Sequence, residues 1–327
     1  MLRHVIAARL GPPGTVENLA RLTGGATKAT WSFDARVGGE TLRLILQQPI
    51  HRVLARDDPM RRLPHLAGAS DAALMIAAAR AGVPVPGVRL VLGEDDGLGA
   101  GYVTERIDGE TLGARINRDE RFAAARRVMA RQCGEILAGI HAMAVEDFPF
   151  LIEQDAAAEL QVYRDIWDSF DHPQPAIELG FRWVGERAPK PARRCLVHGD
   201  FRNGNFIVGP DGIRAVLDWE IAHVGDPMAD VGWLCVRTWR FGGGPAVGGF
   251  GDRDELFESY ERASGVRIDP EAVFFWEVFG CLKWSVMCMM KGQSHLRGGP
   301  RSLEQLAIGR RSEEPLHDLL ALLRARR

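Results

Sequence analysis

The segment from Cys195 to Glu220 constrains the fold more than any other part of the chain. Two short apolar runs, Phe206-Ile207-Val208 and Ala215-Val216-Leu217, flank the tight turn Pro210-Asp211-Gly212. A hairpin closed by that turn returns Asp218 to the side of Asn205, with Asp200 in the loop just before it. Taken singly, an Asp in a polar loop is a turn former or a cap. Here strand pattern, turn and polar positions agree on one arrangement, and that agreement points to chemistry. Two oxygen ligands, Asn205 and Asp218, suit a hard cation such as Mg²⁺, which keeps waters and takes phosphate oxygens. Asp200 is then left to accept a proton from a hydroxyl nucleophile.

Composition removes several other classes. The 327 residues are 46% hydrophobic and 26% charged, which is ordinary globular usage for two domains or one bilobal unit. The 37 Gly follow no three-residue period, which excludes collagen. With 41 basic against 43 acidic residues there is no basic excess for a nucleic-acid partner. Five scattered Cys without a CxxC pair fit reduced thiols and a cytoplasmic location. The stretch MLRHVIAARLGPPG is too short and interrupted for the apolar core of a signal peptide. The most apolar segment, Trp276 to Met290, holds Glu277 and Lys283 and reads as a buried helix, so no membrane partner is expected.

The front of the chain reads as strands: Trp31, Phe33 and Ala35 alternate, Gly38-Gly39 turns, and Leu42, Leu44 and Leu46 follow. Ile50 to Leu66 reads as an exposed basic loop. A helix begins at Ser70-Asp71 and stops at Gly82-Val83-Pro84, and strands follow at Val88–Leu92 and Gly101–Arg106. Residues 119–144 show helical apolar spacing, and most of the remainder is helical. The expected fold is α+β and bilobal, with a small antiparallel sheet over 1–106 and a larger helical lobe over 107–327.

HGDFRNGN, then LDWE, then GDPMADVGWL resembles the aminoglycoside phosphotransferase and choline kinase-like group. The closer likeness is to its bacterial phosphotransferase branch, similar to the kinase-like domain of some acyl-CoA dehydrogenases. The resemblance covers nearly the whole chain and implies a protein-kinase-like fold, ATP as co-substrate and Mg²⁺. By position it makes Asp200 the catalytic base, and Asn205 and Asp218 the metal ligands. It gives His198 a structural role and sets Asp230 at a helix start, bracing the catalytic loop from below. Gly24, Gly25, Ala26 and Thr27 become the turn over the nucleotide phosphates, and Glu105 to Ile107 the hinge beside the adenine.

The third strand departs from this pattern. The family usually has Lys or Arg there, paired with a Glu on the next helix, whereas this chain offers Gln47 and Asp71. A phosphate–cation contact is worth ~1–4 kcal/mol at 4 Å for effective dielectrics of ~80 to ~20. Lys28, Arg43 and Arg52 are the candidate replacements.

The acceptor is expected to be a small molecule with a hydroxyl group. The carboxylates between 146 and 195, Glu159 among them, read as a solvated helix face. Aromatic and Met residues concentrated after Trp233 favour an apolar, hydroxyacyl-like acceptor over a sugar. Arg237, Trp239 and Arg240 form a candidate substrate clamp, and the Gly-rich loop Phe241 to Gly251 a candidate cover. A nucleotide-binding module without turnover and an antibiotic-resistance kinase are the competing readings.

Overall fold

Gly38 and Gly39, both left-handed at φ 57° and 89°, close a two-residue hairpin between Lys28–Val37 and Glu40–Pro49. The structure is a computed structural model that describes residues 1–22, 28–50, 58–191, 193–296 and 302–326, with backbone alone for 294–296. Gly24, Gly25, Ala26, Thr27 and Arg52 lie outside the described residues.

The front begins with helix α1 (Leu2–Arg9) and strand β1 (Pro13–Arg21), neither foreseen in the sequence. Strands β2 (Lys28–Val37) and β3 (Glu40–Pro49), helix α2 (Ala69–Arg80), β4 (Val88–Leu92) and β5 (Gly101–Glu105) follow. The five strands form one antiparallel sheet in the order β1-β2-β3-β5-β4. One face packs Phe33, Ala35, Leu44, Leu46 and Val103 against Val5 and Ile6 of α1. The opposite face carries Tyr102 and belongs to the larger core, together with α2. Of the expected loop from Ile50 to Leu66, residues 51–57 lie outside the described residues; in the rest a 3₁₀ turn runs over Pro59–Arg62, and Leu66 is buried.

The helical part comprises α3 (Gly113–Arg118), α4 (Ala123–His141), α5 (Ala156–Asp168) and α6 (Pro175–Arg187). Four short strands come next, β6 (Cys195–Val197), β7 (Phe206–Gly209), β8 (Gly212–Val216) and β9 (His223–Gly225). Helices α7 (Met228–Cys235), α8 (Arg253–Ser264), α9 (Pro270–Leu296), α10 (Leu303–Gly309) and α11 (Glu313–Ala325) complete it. The apolar stripe of α4, including Met129, Cys133, Leu137 and Ile140, is buried as its spacing requires. At Gly134 the helix meets α8 so closely that a Cβ would collide with Ser259 and the backbone of Leu256. Pro270–Gln293 is long and apolar enough to cross a membrane, but 72% of that window is buried inside the fold, which makes it a core helix.

Candidate active site

The hairpin forms as its turn demands. β7 pairs with β8, and the backbone N–H of Leu217 donates to the carbonyl of Asn205 at 2.8 Å, bringing Asp218 back to Asn205. β6 pairs with β9, which anchors the loop carrying Asp200 at its other end. Beneath that loop lies Asp230 in the first turn of α7, fully buried. Its carboxylate accepts from the backbone N–H of His198 at 2.8 Å and of Gly199 at 2.9 Å. His141 Nε2 lies 3.2 Å from the same group, and its Nδ1 is 3.0 Å from the Tyr260 hydroxyl. Burial raises the Asp230 pKa, but the bonds from His141 and His198 outweigh it and leave the carboxyl below its ordinary range. The Asp200 N–H donates to His198 Nδ1 at 3.2 Å, so His198 Nε2 carries the proton it gives to the Leu217 carbonyl at 3.1 Å. Burial lowers the His198 pKa, keeping this ring neutral and suited to hold the loop's shape.

Asp200 itself is held on three sides. Arg202 Nε and Trp233 Nε1 each donate to Oδ1 at 2.8 Å, and Asn205 Nδ2 donates to Oδ2 at 2.6 Å. Arg202 also stacks over Trp239, 4.2 Å from its ring centroid. Asn205 turns its amide nitrogen to Asp200, which leaves the amide oxygen as the end available to a cation. Asp218 is 40% exposed at the side chain and sits at φ 68°, a left-handed backbone unusual outside Gly. One carboxylate and one amide oxygen match a magnesium site completed by phosphate and water. No group of three His, Cys, Asp or Glu side chains suited to a metal occurs among the described residues, so a closed all-protein metal cage is not what this site offers.

Residues 19–270 match the phosphotransferase enzyme family. The chain belongs to that family. Its members are small-molecule kinases that phosphorylate hydroxyl groups. Over 82 residues, 24% of this chain, it is 42% identical to mouse acyl-CoA dehydrogenase family member 10, and that match spans 8% of the relative's length. In structure it is similar to a candidate aminoglycoside phosphotransferase from Ralstonia eutropha, with TM-score 0.70, 18% identity, and 99% and 97% of the two chains covered. It is also similar to an aminoglycoside phosphotransferase, APH(2")-IIIa, solved with GDP and kanamycin. That likeness has TM-score 0.64 at 14% identity and covers 97% and 98% of the chains. Both neighbours share the kinase-like fold.

Within this phosphotransferase fold Asp71 takes its cation from Lys28, one of the three candidates, and not from the third strand. Gln47, which carries no charge, is not the ion-pair partner of Asp71. The Lys28 ammonium lies 2.6 Å from Asp71, 3.4 Å from Asp218 and 3.6 Å from Glu220. Burial lowers the Lys28 pKa, but Tyr102, Asp71, Asp218 and Glu220 outweigh it, so the net shift is upward and the ammonium stays charged. The Tyr102 hydroxyl donates to Asp71 at 2.8 Å. Gln47 is half-buried, opposite Thr30 on one side and Tyr102 on the other. Arg43 is committed elsewhere, to Asp108 at 2.6 Å. At the hinge Glu105 ends β5 and pairs with Arg89, and half-buried Ile107 follows.

The expected substrate clamp is not assembled. Arg240 turns inward to buried Glu277 at 3.3 Å and to the Cys235 carbonyl at 2.9 Å. The Arg237 side chain is 72% exposed beside Asp318, and Trp239 is buried between Trp233 and Trp284. The Gly-rich loop is tied down rather than poised above the cleft. Asn203 donates to the Gly248 carbonyl at 2.7 Å, and Asn117 to the Arg240 carbonyl at 2.7 Å. Glu159 leaves the solvated face: it is buried and pairs with Lys283 at 2.5 Å. Lys283 lies over the Trp233 ring, 5.2 Å from its centroid. No local sequence signal marked that pair, since Glu159 and Lys283 lie on helices far apart in the chain, each with other charges. Trp233, Lys283, Met287 and Met290 line a cavity of about 580 Å³ with Gly199 and Glu220, between the front segment at 60–67 and helices α5, α7 and α9. A larger cavity of about 800 Å³, walled by Trp183, Phe274 and Leu323, lies away from Asp200.

Proposed function

We propose that the chain transfers the γ-phosphoryl group of ATP to a hydroxyl of a small, largely apolar compound of the hydroxyacyl class. One juxtaposition carries this reading: Trp233 both bonds Asp200 and lines the 580 Å³ cavity, and Gly199, next to Asp200 in the chain, lines it too, so an acceptor bound there lies one side chain away from the carboxylate. Arg202 and Trp233 hold Oδ1 of Asp200. Oδ2, bonded to Asn205, is the oxygen that takes the hydroxyl proton. Magnesium held by Asp218 and the amide oxygen of Asn205 would neutralise charge on the phosphates. Glu105 and Ile107 are the proposed adenine contacts, and Gly24, Gly25, Ala26 and Thr27 the proposed phosphate turn. The division near residue 106 then separates a nucleotide lobe from an acceptor lobe.

The cavity's charges support this acceptor over a polycationic antibiotic. Arg61, Lys283 and Lys291 stand against Glu159 and Glu220, and Glu159 is already paired with Lys283. The reading without turnover was motivated by Gln47, and Lys28 on Asp71 removes that motive. Five buried free cysteines fit a reducing, cytoplasmic setting.

The test incubates the protein with Mg²⁺, ATP and separate acceptors: hydroxy fatty acids, hydroxyacyl thioesters, choline and kanamycin. ADP release and the phosphorylated product are followed by mass spectrometry. Product from the hydroxyacyl acceptors is expected. Faster phosphorylation of kanamycin or choline would overturn the acceptor class, and tight ATP binding with no product from any hydroxyl would favour the module without turnover.

A further inference from the structure

We infer that Lys28, at the start of the second strand, is the residue that grips the nucleotide phosphates in this chain, in place of a cation on the third strand. The inference rests on the ATP-dependent reading above. Three observations carry it. First, register keeps the position equivalent: Lys28 lies opposite Pro49, and Thr30 lies opposite Gln47. Lys28, Thr30 and Gln47 therefore share one face of the sheet, with residue 28 one diagonal step of about 7–8 Å from residue 47. Tyr102, opposite Gln47 on the other side, shares that face and bonds Asp71. A lysine at either position approaches the same acid.

Second, the acid on α2 is built for a cation and already has this one. Asp71 is fully buried, the buried Lys28 ammonium is 2.6 Å away, and Tyr102 supplies a second donor. A buried carboxylate of this kind persists only when paired. Third, the ammonium spans from Asp71 to Asp218, the candidate metal carboxylate, at 3.4 Å. Phosphates bridged to a cation on Asp218 come within reach of the same nitrogen. Gln47 on the same face offers only a neutral donor, a weaker partner for a phosphate than an ammonium.

The test measures Mg·ATP affinity of the full chain by titration calorimetry. Lys28→Gln is expected to weaken binding by about 10- to 100-fold, the range for losing a charge-assisted contact. Because it also leaves Asp71 unpaired, the neutral pair Lys28→Met with Asp71→Asn is measured beside it and is expected to lose affinity to the same degree while staying folded. The exchange Lys28→Gln with Gln47→Lys is expected to recover most of the loss, and Gln47→Lys alone to give no gain, since it sets two cations side by side. Unchanged affinity in the neutral pair overturns the assignment, and an exchange as weak as Lys28→Gln overturns the equivalence of the two positions. A wild-type chain that binds no Mg·ATP would instead overturn the ATP-dependent reading itself.

Discussion

The indole Nε1 of Trp233 donates to Oδ1 of Asp200 at 2.8 Å, so the side chain proposed as base is fixed by a helix that begins three strands further along the chain. That helix, α7, also supplies Asp230, which holds the backbone of the same loop through His198 and Gly199. Base and scaffold are therefore oriented by one element three residues apart. Trp233→Phe removes the donor and also trims a buried ring that packs on Trp239, so urea unfolding is measured beside the kinetics to separate the two losses. Turnover is expected to fall about tenfold with ATP affinity unchanged, read from steady-state kinetics and calorimetry on the same preparation. Parallel loss of both would make Trp233 a packing residue and nothing more.

Asp200→Asn removes the proton acceptor while keeping its shape. A drop in kcat of about 10²–10⁴-fold is expected, the usual share of a general base, with nucleotide affinity little changed. If ATP affinity collapses with the rate, Asp200 holds the nucleotide rather than the proton.

Asp218→Ala takes away the exposed carboxylate next to Asn205. The magnesium dependence of nucleotide binding is expected to vanish in calorimetric titrations with and without the cation, while the circular dichroism spectrum stays as in wild type. Retained magnesium dependence would place the cation elsewhere.

His198 is neutral and buried, with a pKa lowered from 6.5 by that burial. An unfolded chain takes up a proton at this residue as pH falls below about 6.5, and the folded one resists until its own lower pKa. Stability is thus fully present above pH 6.5 and declines below it, by up to ~1.4 kcal/mol per pH unit for this one group. Urea unfolding at pH 7.5, 6.5 and 5.5 is expected to show that decline, and His198→Gln to flatten it. His65, whose pKa burial also lowers, leaves a smaller slope behind in the variant. An equal slope in both proteins would remove His198 from the account.

Lys283 and Glu159 form a buried pair beside the acceptor cavity. Lys283→Met alone strands a buried carboxylate and is expected to cost about 3–5 kcal/mol in urea unfolding, whereas Lys283→Met with Glu159→Leu should recover most of it. Equal losses in the single and double variants would mean that the pair is not coupled.

The hairpin was legible because Pro210-Asp211-Gly212 and its apolar flanks permit one register, and that register alone carries Asp218 to Asn205. Strand Val88–Leu92 and helix α2 were equally plain, each bounded by Gly and Pro. Helix α1 and β1 were not, since β1 is exposed over most of its length and shows no sustained alternation, and the burial of Val5 and Ile6 is granted by the sheet that α1 joins. The cation on Asp71 was legible only as one of three candidates, Lys28, Arg43 and Arg52, because strand number alone fixes neither the face nor the diagonal neighbours of a residue. Arg237 and Arg240 were read from their adjacency to Trp239, but Glu277, far along the chain, claims Arg240. Long-range ion pairs of that kind leave no local trace.

The left-handed backbone at Asp218, φ 68°, sorts the residues that can occupy this position. Most side chains meet a penalty of roughly 1–2 kcal/mol there, while Gly visits the region routinely and Asn and Asp occasionally. Two of those three carry no carboxylate, and each is one nucleotide change from an Asp codon. If Asp218 holds the cation as proposed, a lineage of this chain would lose that ligand at a single base while the backbone of the turn stays permitted, and folded descendants without turnover would lie one mutation away.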